Sequence, residues 1–241
     1  SPSLATSDPK NVGFVDVIIL GVKAWQVVDA AEAMRPMIGP NTFVVPMQNG
    51  VEAPGQLSSV LGENAVVVGL GGLISYIGGP GHIVHQGGDP FVSFGESDDS
   101  TTERTHRLLE AFQNAGVNAN IPDNVQAALW GKLAFMAANS GVGAITRVPS
   151  GQWRNLDGSW DMAQRVVQEV LAVAVEKGVG MPNDAFSSAI SRLQGSPSDG
   201  TSSMQRDLMD GKPSELEVQN GGVVRLGLEV GVPTPVNSFI Y

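Results

Sequence analysis

Short, continuous apolar runs alternate with amphipathic stretches over residues 14–72. VDVIIL has the unbroken apolar character of a strand covered on both faces, as in a parallel sheet. WQVVDAAEAMRPMI has helical spacing, with Val27, Ala30, Ala31 and Met34 on one face, and Gly39-Pro40 is expected to stop it. NTFVVPMQNG predicts a second buried strand, APGQLSSVLG a short helix and NAVVVGLGGLISYI a third strand region. HIVHQ and PFVSFG alternate, which predicts antiparallel strands at a sheet edge. The order strand, helix, strand, helix, strand is that of a parallel α/β sheet, where ligands bind beyond the carboxyl ends of the strands.

From about residue 101 the pattern changes to helical periods. TTERTHRLLEAFQNAG, DNVQAALWGKLAFMAANSGVGAIT, SWDMAQRVVQEVLAVAVEKGV, DAFSSAISRLQG and SELEVQNGGVVRLGLEVGV predict five helices. The expected fold class is therefore α/β: a parallel-sheet domain over 1–121, followed by an all-α domain over 122–241.

Charge and composition then narrow the function. The net charge is −10, and no run of basic residues occurs, which argues against a nucleic-acid or anionic-membrane surface. The chain has no cysteine, so thiolate metal sites and cysteine nucleophiles are excluded. His82 and His85 lie three apart on a predicted strand and point to opposite faces, a poor start for a metal site. No apolar run reaches the roughly 18 residues of a membrane span. No basic-plus-apolar leader opens the chain, so the cytoplasm is the expected compartment. Nor does G-x-G-x-x-G, the turn that cradles a dinucleotide pyrophosphate, occur anywhere in the 241 residues.

Three places can carry chemistry. Lys132 stands in an otherwise apolar helix. Met136, Asn139 and Ser140 share its face, making that face cationic, then apolar, then polar. A small molecule with a carboxylate and a carbonyl suits such a face, although a lysine stem packed on the core gives the same pattern. Glu215 and Glu217 begin a predicted helix, where the dipole favours carboxylates, and Ser202-Ser203 can cap another. Asn49-Gly50 is a common turn pair, yet it follows a strand that looks parallel, where no hairpin is expected.

The stretches VDVIILGVKAWQ, VVPMQNGVE, LWGKLAF, SGVGAITR, SSMQRDLMDGKPSELEVQNGGVVRLG and GVPTPVN, in this order and spacing, resemble the ketopantoate reductase (2-dehydropantoate 2-reductase) family. The resemblance spans about residues 14–240. It implies a Rossmann domain and a helical substrate and dimerisation domain with the active site between them. The implied reaction is NADPH-dependent reduction of 2-dehydropantoate to pantoate in pantothenate biosynthesis. By position it implies Lys132 as the catalytic lysine, with Glu215 acting beside it on the substrate. Asn49 is implied at both substrate and cofactor, Ser203 at the substrate, and Lys23 and Gln26 at the cofactor. Asn139 and Ser140 complete the implied substrate-binding set. The apolar, small-residue-rich helical half is compatible with a homodimer; the expected ligand is a small 2-keto acid, with no metal.

Two departures accompany the resemblance. Many pantoate-forming members carry asparagine four and eight residues after the lysine, where this chain has Met136 and Ser140, with Asn139 shifted by one. Such a change can alter substrate preference, so reduction of another 2-keto acid is the alternative within enzymes. The family's first strand and glycine loop also have no counterpart in the chain. The expectation is a truncated Rossmann domain that keeps the substrate and nicotinamide sides of the site and binds NADPH weakly. A non-catalytic remnant serving as an interaction module is the alternative from another class.

Overall fold

A computed structural model of the chain describes residues 4–241. They form two compact units. One holds the described residues through Gln48 together with Ala53–Val125; the other holds Asn49–Glu52 and Gln126–Tyr241.

The first unit contains strand β1 (Val15–Leu20), helix α1 (Val27–Met34), β2 (Ile38–Pro46), α2 (Ala53–Leu61), β3 (Val68–Gly79), β4 (His82–Gly95), α3 (Glu103–Asn114) and β5 (Asn118–Asn120). β1 and β2 pair in parallel, and a parallel bridge from Val44 to Val66 carries the arrangement toward β3. Val27, Ala31 and Met34 of α1 and Leu57 of α2 cover this pair, as the helical spacing requires.

Three details differ from the sequence expectation. VDVIIL is not covered on both faces: it pairs on one side only, and Ile19 is 47% exposed. Gly39-Pro40 does not end α1, which stops at Met34 before a 3-10 turn at Arg35–Met37; both residues lie inside β2. The pairing jumps there, from Val15 opposite Ile38 to Val17 opposite Phe43, so Pro40, which has no N–H to donate, sits in a break of the ladder. Thr42 bridges the break, its hydroxyl accepting from the Gly39 N–H and donating to the Val15 carbonyl. Finally, HIVHQ and PFVSFG form one strand, β4, and it is central rather than an edge. It runs antiparallel to β3 and parallel to the short β5.

The second unit is helical: α4 (Val125–Thr146, of which all but the first residue belong to this unit), α5 (Ser150–Trp153), α6 (Asp157–Glu176), α7 (Ala185–Gly195), α8 (Ser203–Met209), α9 (Asn220–Val230) and α10 (Pro235–Ile240). Its core joins Leu133, Ala134, Ala137, Ala138 and Val142 of α4 to Val166, Val167, Val170 and Val173 of α6 and to Leu193 and Val223. Small residues let the helices approach. A Cβ at Gly141 would stand 2.9 Å from Ile240 and 3.0 Å from the Asn220 side chain. The expected fifth helix is broken: Glu215–Glu217 form a separate 3-10 turn capped by Ser214, and α9 starts after Gln219. No helix among the described residues is long and apolar enough to cross a membrane.

Candidate active site

Helix α4 presents Lys132. The segment contains no proline between Val125 and Thr146 and is rich in alanine and other good helix formers, so it runs for 22 residues. Leu133, Ala137 and Val142 anchor its core side. Lys132 is drawn down with them and is only 8% exposed. Among the described residues its ammonium makes no hydrogen bond and no ion pair. Burial pushes its pKa down from 10.5 to about 8; the charge of Arg192 acts in the same direction, and Glu215 opposes both. The group is therefore an ammonium at neutral pH, but a readily deprotonated one.

Glu215 opens the 3-10 turn and is also 8% exposed. Its Oε2 accepts a 2.7 Å hydrogen bond from Asn49 Nδ2. Asn49 reaches it because the four-residue segment Asn49–Glu52 packs with the helical unit. Gly50 has φ +90°, and a Cβ there would lie 2.8 Å from the Val218 carbonyl oxygen, the residue that ends the Glu215 turn. Only glycine permits both the left-handed backbone and that approach. Glu52 secures the far end, its Oε2 2.8 Å from Arg225 Nη2 of α9, while Arg225 also pairs with Glu217. Asn49-Gly50 is thus not a hairpin turn but a strap that delivers an amide to a buried carboxylate.

The structure therefore brings Lys132, Glu215 and Asn49 together in one unit. The other proposed residues are placed differently. Asn139 is half-buried on α4, and Ser140 is fully enclosed, its Oγ without a hydrogen-bond partner among the described residues. A sealed hydroxyl has no path to a substrate, so the polar end of the Lys132 face is shorter than the spacing suggests. Met136, one turn from Lys132, is half-buried and apolar. Ser203 is exposed at the start of α8, where the cap is Ser202, whose Oγ accepts from the Gln205 N–H at 3.0 Å. Glu217 faces away from the cluster, bound to Arg225 and to the Tyr241 hydroxyl.

Lys23 and Gln26 belong to the sheet unit, at the carboxyl end of β1. Both are exposed, and Gln26 Oε1 accepts from the Lys23 backbone N–H at 3.2 Å, closing a 3-10 turn. The buried Gln48 ties the same strand end, its Nε2 donating to the carbonyls of Leu20 at 2.8 Å and Val22 at 2.9 Å. These exposed polar groups stand at the carboxyl end of a parallel strand pair, the end at which such sheets take ligands.

Arg192 on α7 was not singled out by the sequence. Its guanidinium carbon lies 4.5 Å from the Phe135 ring centroid, and its charge acts on Lys132. A signal existed: no acidic residue stands three or four positions from it on the helix, so it has no local ion-pair partner. A cavity of about 1080 Å³ opens in the sheet unit, lined among others by Asp16, Thr42, Glu96 and Arg104. It lies at the amino ends of β1 and β2, away from the ligand-binding end of a parallel sheet, and contains none of the clustered residues. Among the described residues no group of three or more His, Asp or Glu side chains is placed to hold a metal.

A family model described as ketopantoate reductase PanE/ApbA matches residues 1–99, and one described as ketopantoate reductase PanE/ApbA C terminal matches residues 124–241. A 2-dehydropantoate 2-reductase of Aquifex aeolicus (strain VF5) is 28% identical over 238 residues, covering 96% of this chain and 76% of that protein. A solved PanE/ApbA family ketopantoate reductase from Ralstonia eutropha JMP134 is 33% identical with a TM-score of 0.85, covering 98% of this chain and 76% of that one. A D-mandelate dehydrogenase solved in a ternary structure with NADH and anilino(oxo)acetate shares the fold. Its TM-score is 0.84 at 22% identity, over 94% of this chain and 74% of that one.

Proposed function

This chain belongs to the ketopantoate reductase PanE/ApbA family, and from that premise we propose that it reduces a 2-keto acid to the 2-hydroxy acid. The leading substrate is 2-dehydropantoate, giving pantoate, and the proposed reductant is NADPH. The observation that carries this reading is the buried Lys132 beside Glu215, with Asn49 bonded to Glu215 at 2.7 Å.

When bound, the nicotinamide supplies the hydride. Lys23 and Gln26 are the proposed contacts at its end of β1. Reduction of the keto carbon places negative charge on the keto oxygen. Lys132 Nζ meets that charge from a site with little water, where it acts more strongly than in solvent. It then gives its proton to the oxygen. A pKa of about 8 keeps the group protonated at neutral pH and leaves little barrier to the transfer. Asn49 holds one lobe of Glu215 and fixes the carboxylate; the remaining oxygen is free to accept a substrate hydroxyl. Asn139 and the exposed Ser203 are the proposed additional substrate contacts.

A second reading, reduction of a more apolar 2-keto acid, is favoured by Met136 one turn from Lys132 and by the enclosure of Ser140. The D-mandelate dehydrogenase that shares the fold is consistent with it. The test is the loss of reduced-nicotinamide absorbance with 2-dehydropantoate, 3-methyl-2-oxobutanoate and benzoylformate, each with NADPH and NADH. Turnover highest with 2-dehydropantoate supports the first reading, and turnover highest with benzoylformate the second. No turnover with any of them refutes both.

A further inference from the structure

Arg192 is the one charged side chain of the Lys132 cluster that the mechanism leaves without a task. It lies at the rim of α7, where its neighbour Leu193 is fully buried in the core. Among the described residues its guanidinium faces no carboxylate at ion-pair distance, and its only side-chain contact of note is the Phe135 ring, 4.5 Å away. Phe135 is three residues beyond Lys132 on α4, so the two lie on neighbouring positions of one helix surface. A guanidinium stacked on a ring keeps its in-plane N–H donors at the ring edge, where they can fork onto a carboxylate.

The charges point the same way. Lys132, 8% exposed, meets the like charge of Arg192 and the opposite charge of Glu215, which Asn49 already engages. Arg192 itself is exposed, and a singly charged anion taken up between the two cations relieves their repulsion.

We propose that Arg192 is a substrate-binding residue that takes the carboxylate of the 2-keto acid in a forked contact, with Phe135 setting the plane of the guanidinium. The assignment rests on the 2-keto acid reading above. It divides the labour: Arg192 holds the carboxylate, and Lys132 faces the adjacent carbonyl oxygen. It also makes the site selective for acids over esters and amides, whatever the rest of the substrate carries.

The experiment is calorimetric binding of 3-methyl-2-oxobutanoate and of its methyl ester, which keeps the shape and loses the charge. Wild type is expected to bind the acid well and the ester weakly. Arg192→Ala should weaken the acid by about 10- to 100-fold and leave the ester unchanged, as loss of a charge-assisted contact requires. Arg192→Lys should recover part of the acid affinity, since the charge returns without the fork. Arg165→Ala, which removes an exposed surface cation paired with Asp161, controls for net charge and should change neither. Equal acid affinity in wild type and Arg192→Ala overturns the assignment, as does a variant that loses acid and ester alike. A wild-type chain that binds neither this acid nor 2-dehydropantoate overturns the 2-keto acid reading itself, and Arg192's role with it.

Discussion

Replacing Lys132 by methionine keeps an unbranched stem in α4 and removes the ammonium. The ammonium's pKa falls from 10.5 to about 8 on folding. At about 1.4 kcal/mol per pK unit, burying the charged form costs roughly 3 kcal/mol at neutral pH. The attraction of Glu215 is already contained in that figure, since it is one of the causes that set the pKa. Lys132→Met should therefore be more stable than wild type by about 3 kcal/mol near neutral pH, on the order of 8 °C in Tm. The pH dependence is more diagnostic than the size. Between about pH 8 and 10.5 the unfolded chain still holds the lysine proton and the folded chain has released it. Wild-type stability consequently rises through that window relative to the variant. The advantage of Lys132→Met is complete below pH 8 and shrinks toward pH 10.5. Urea denaturation of both proteins at neutral pH and near the top of that window measures it. A variant that is less stable at neutral pH, or a difference that does not move with pH, refutes a buried, desolvated ammonium at this position.

Other substitutions probe the supports of the cluster. Asn49→Ala removes the 2.7 Å donor to the buried Glu215 and should destabilise by about 1–3 kcal/mol in urea while lowering turnover. Gly50→Ala forces a Cβ to 2.8 Å from the Val218 carbonyl at a φ of +90°; a loss of about 1–3 kcal/mol is expected, measured by thermal melting. Glu169→Ala withdraws the carboxylate that accepts from the N–H groups of Val236 at 2.8 Å and Asn237 at 2.9 Å and from Asn237 Nδ2 at 2.7 Å. Amide hydrogen exchange over residues 236–240 should quicken while exchange in the middle of α6 stays slow.

The helices and parallel strands were legible because their signals are local. Spacing in α1, α6 and α7 marks the buried face, and the alternation of strand and helix sets the sheet class. Features that depend on a partner were not legible. Pro40 reads as a stop from its own chemistry, yet a break in the β1–β2 ladder accommodates it. ELEVQN is compatible with one continuous helix; the chain instead turns at Gln219, and nothing in its residue types announces that. Periodicity placed Ser140 on the Lys132 face but carries no depth, and the structure shows that hydroxyl sealed. Lys132 was conspicuous as a lone cation in an apolar run. Arg192 was not, because an arginine on an amphipathic helix is ordinary until its missing partner is noticed. The segment Asn49–Glu52 belongs by sequence to the end of a strand and by contacts to the helical unit, a division that only the folded chain displays.

The most direct test of Lys132 as proton donor is kcat/KM for reduction of the best 2-keto acid by wild type and by Lys132→Met, with reduced nicotinamide saturating. The variant should fold, resist urea better than wild type, and lose about 100-fold or more in kcat/KM. A stable variant that reduces the keto acid at the wild-type rate would remove Lys132 from the chemistry.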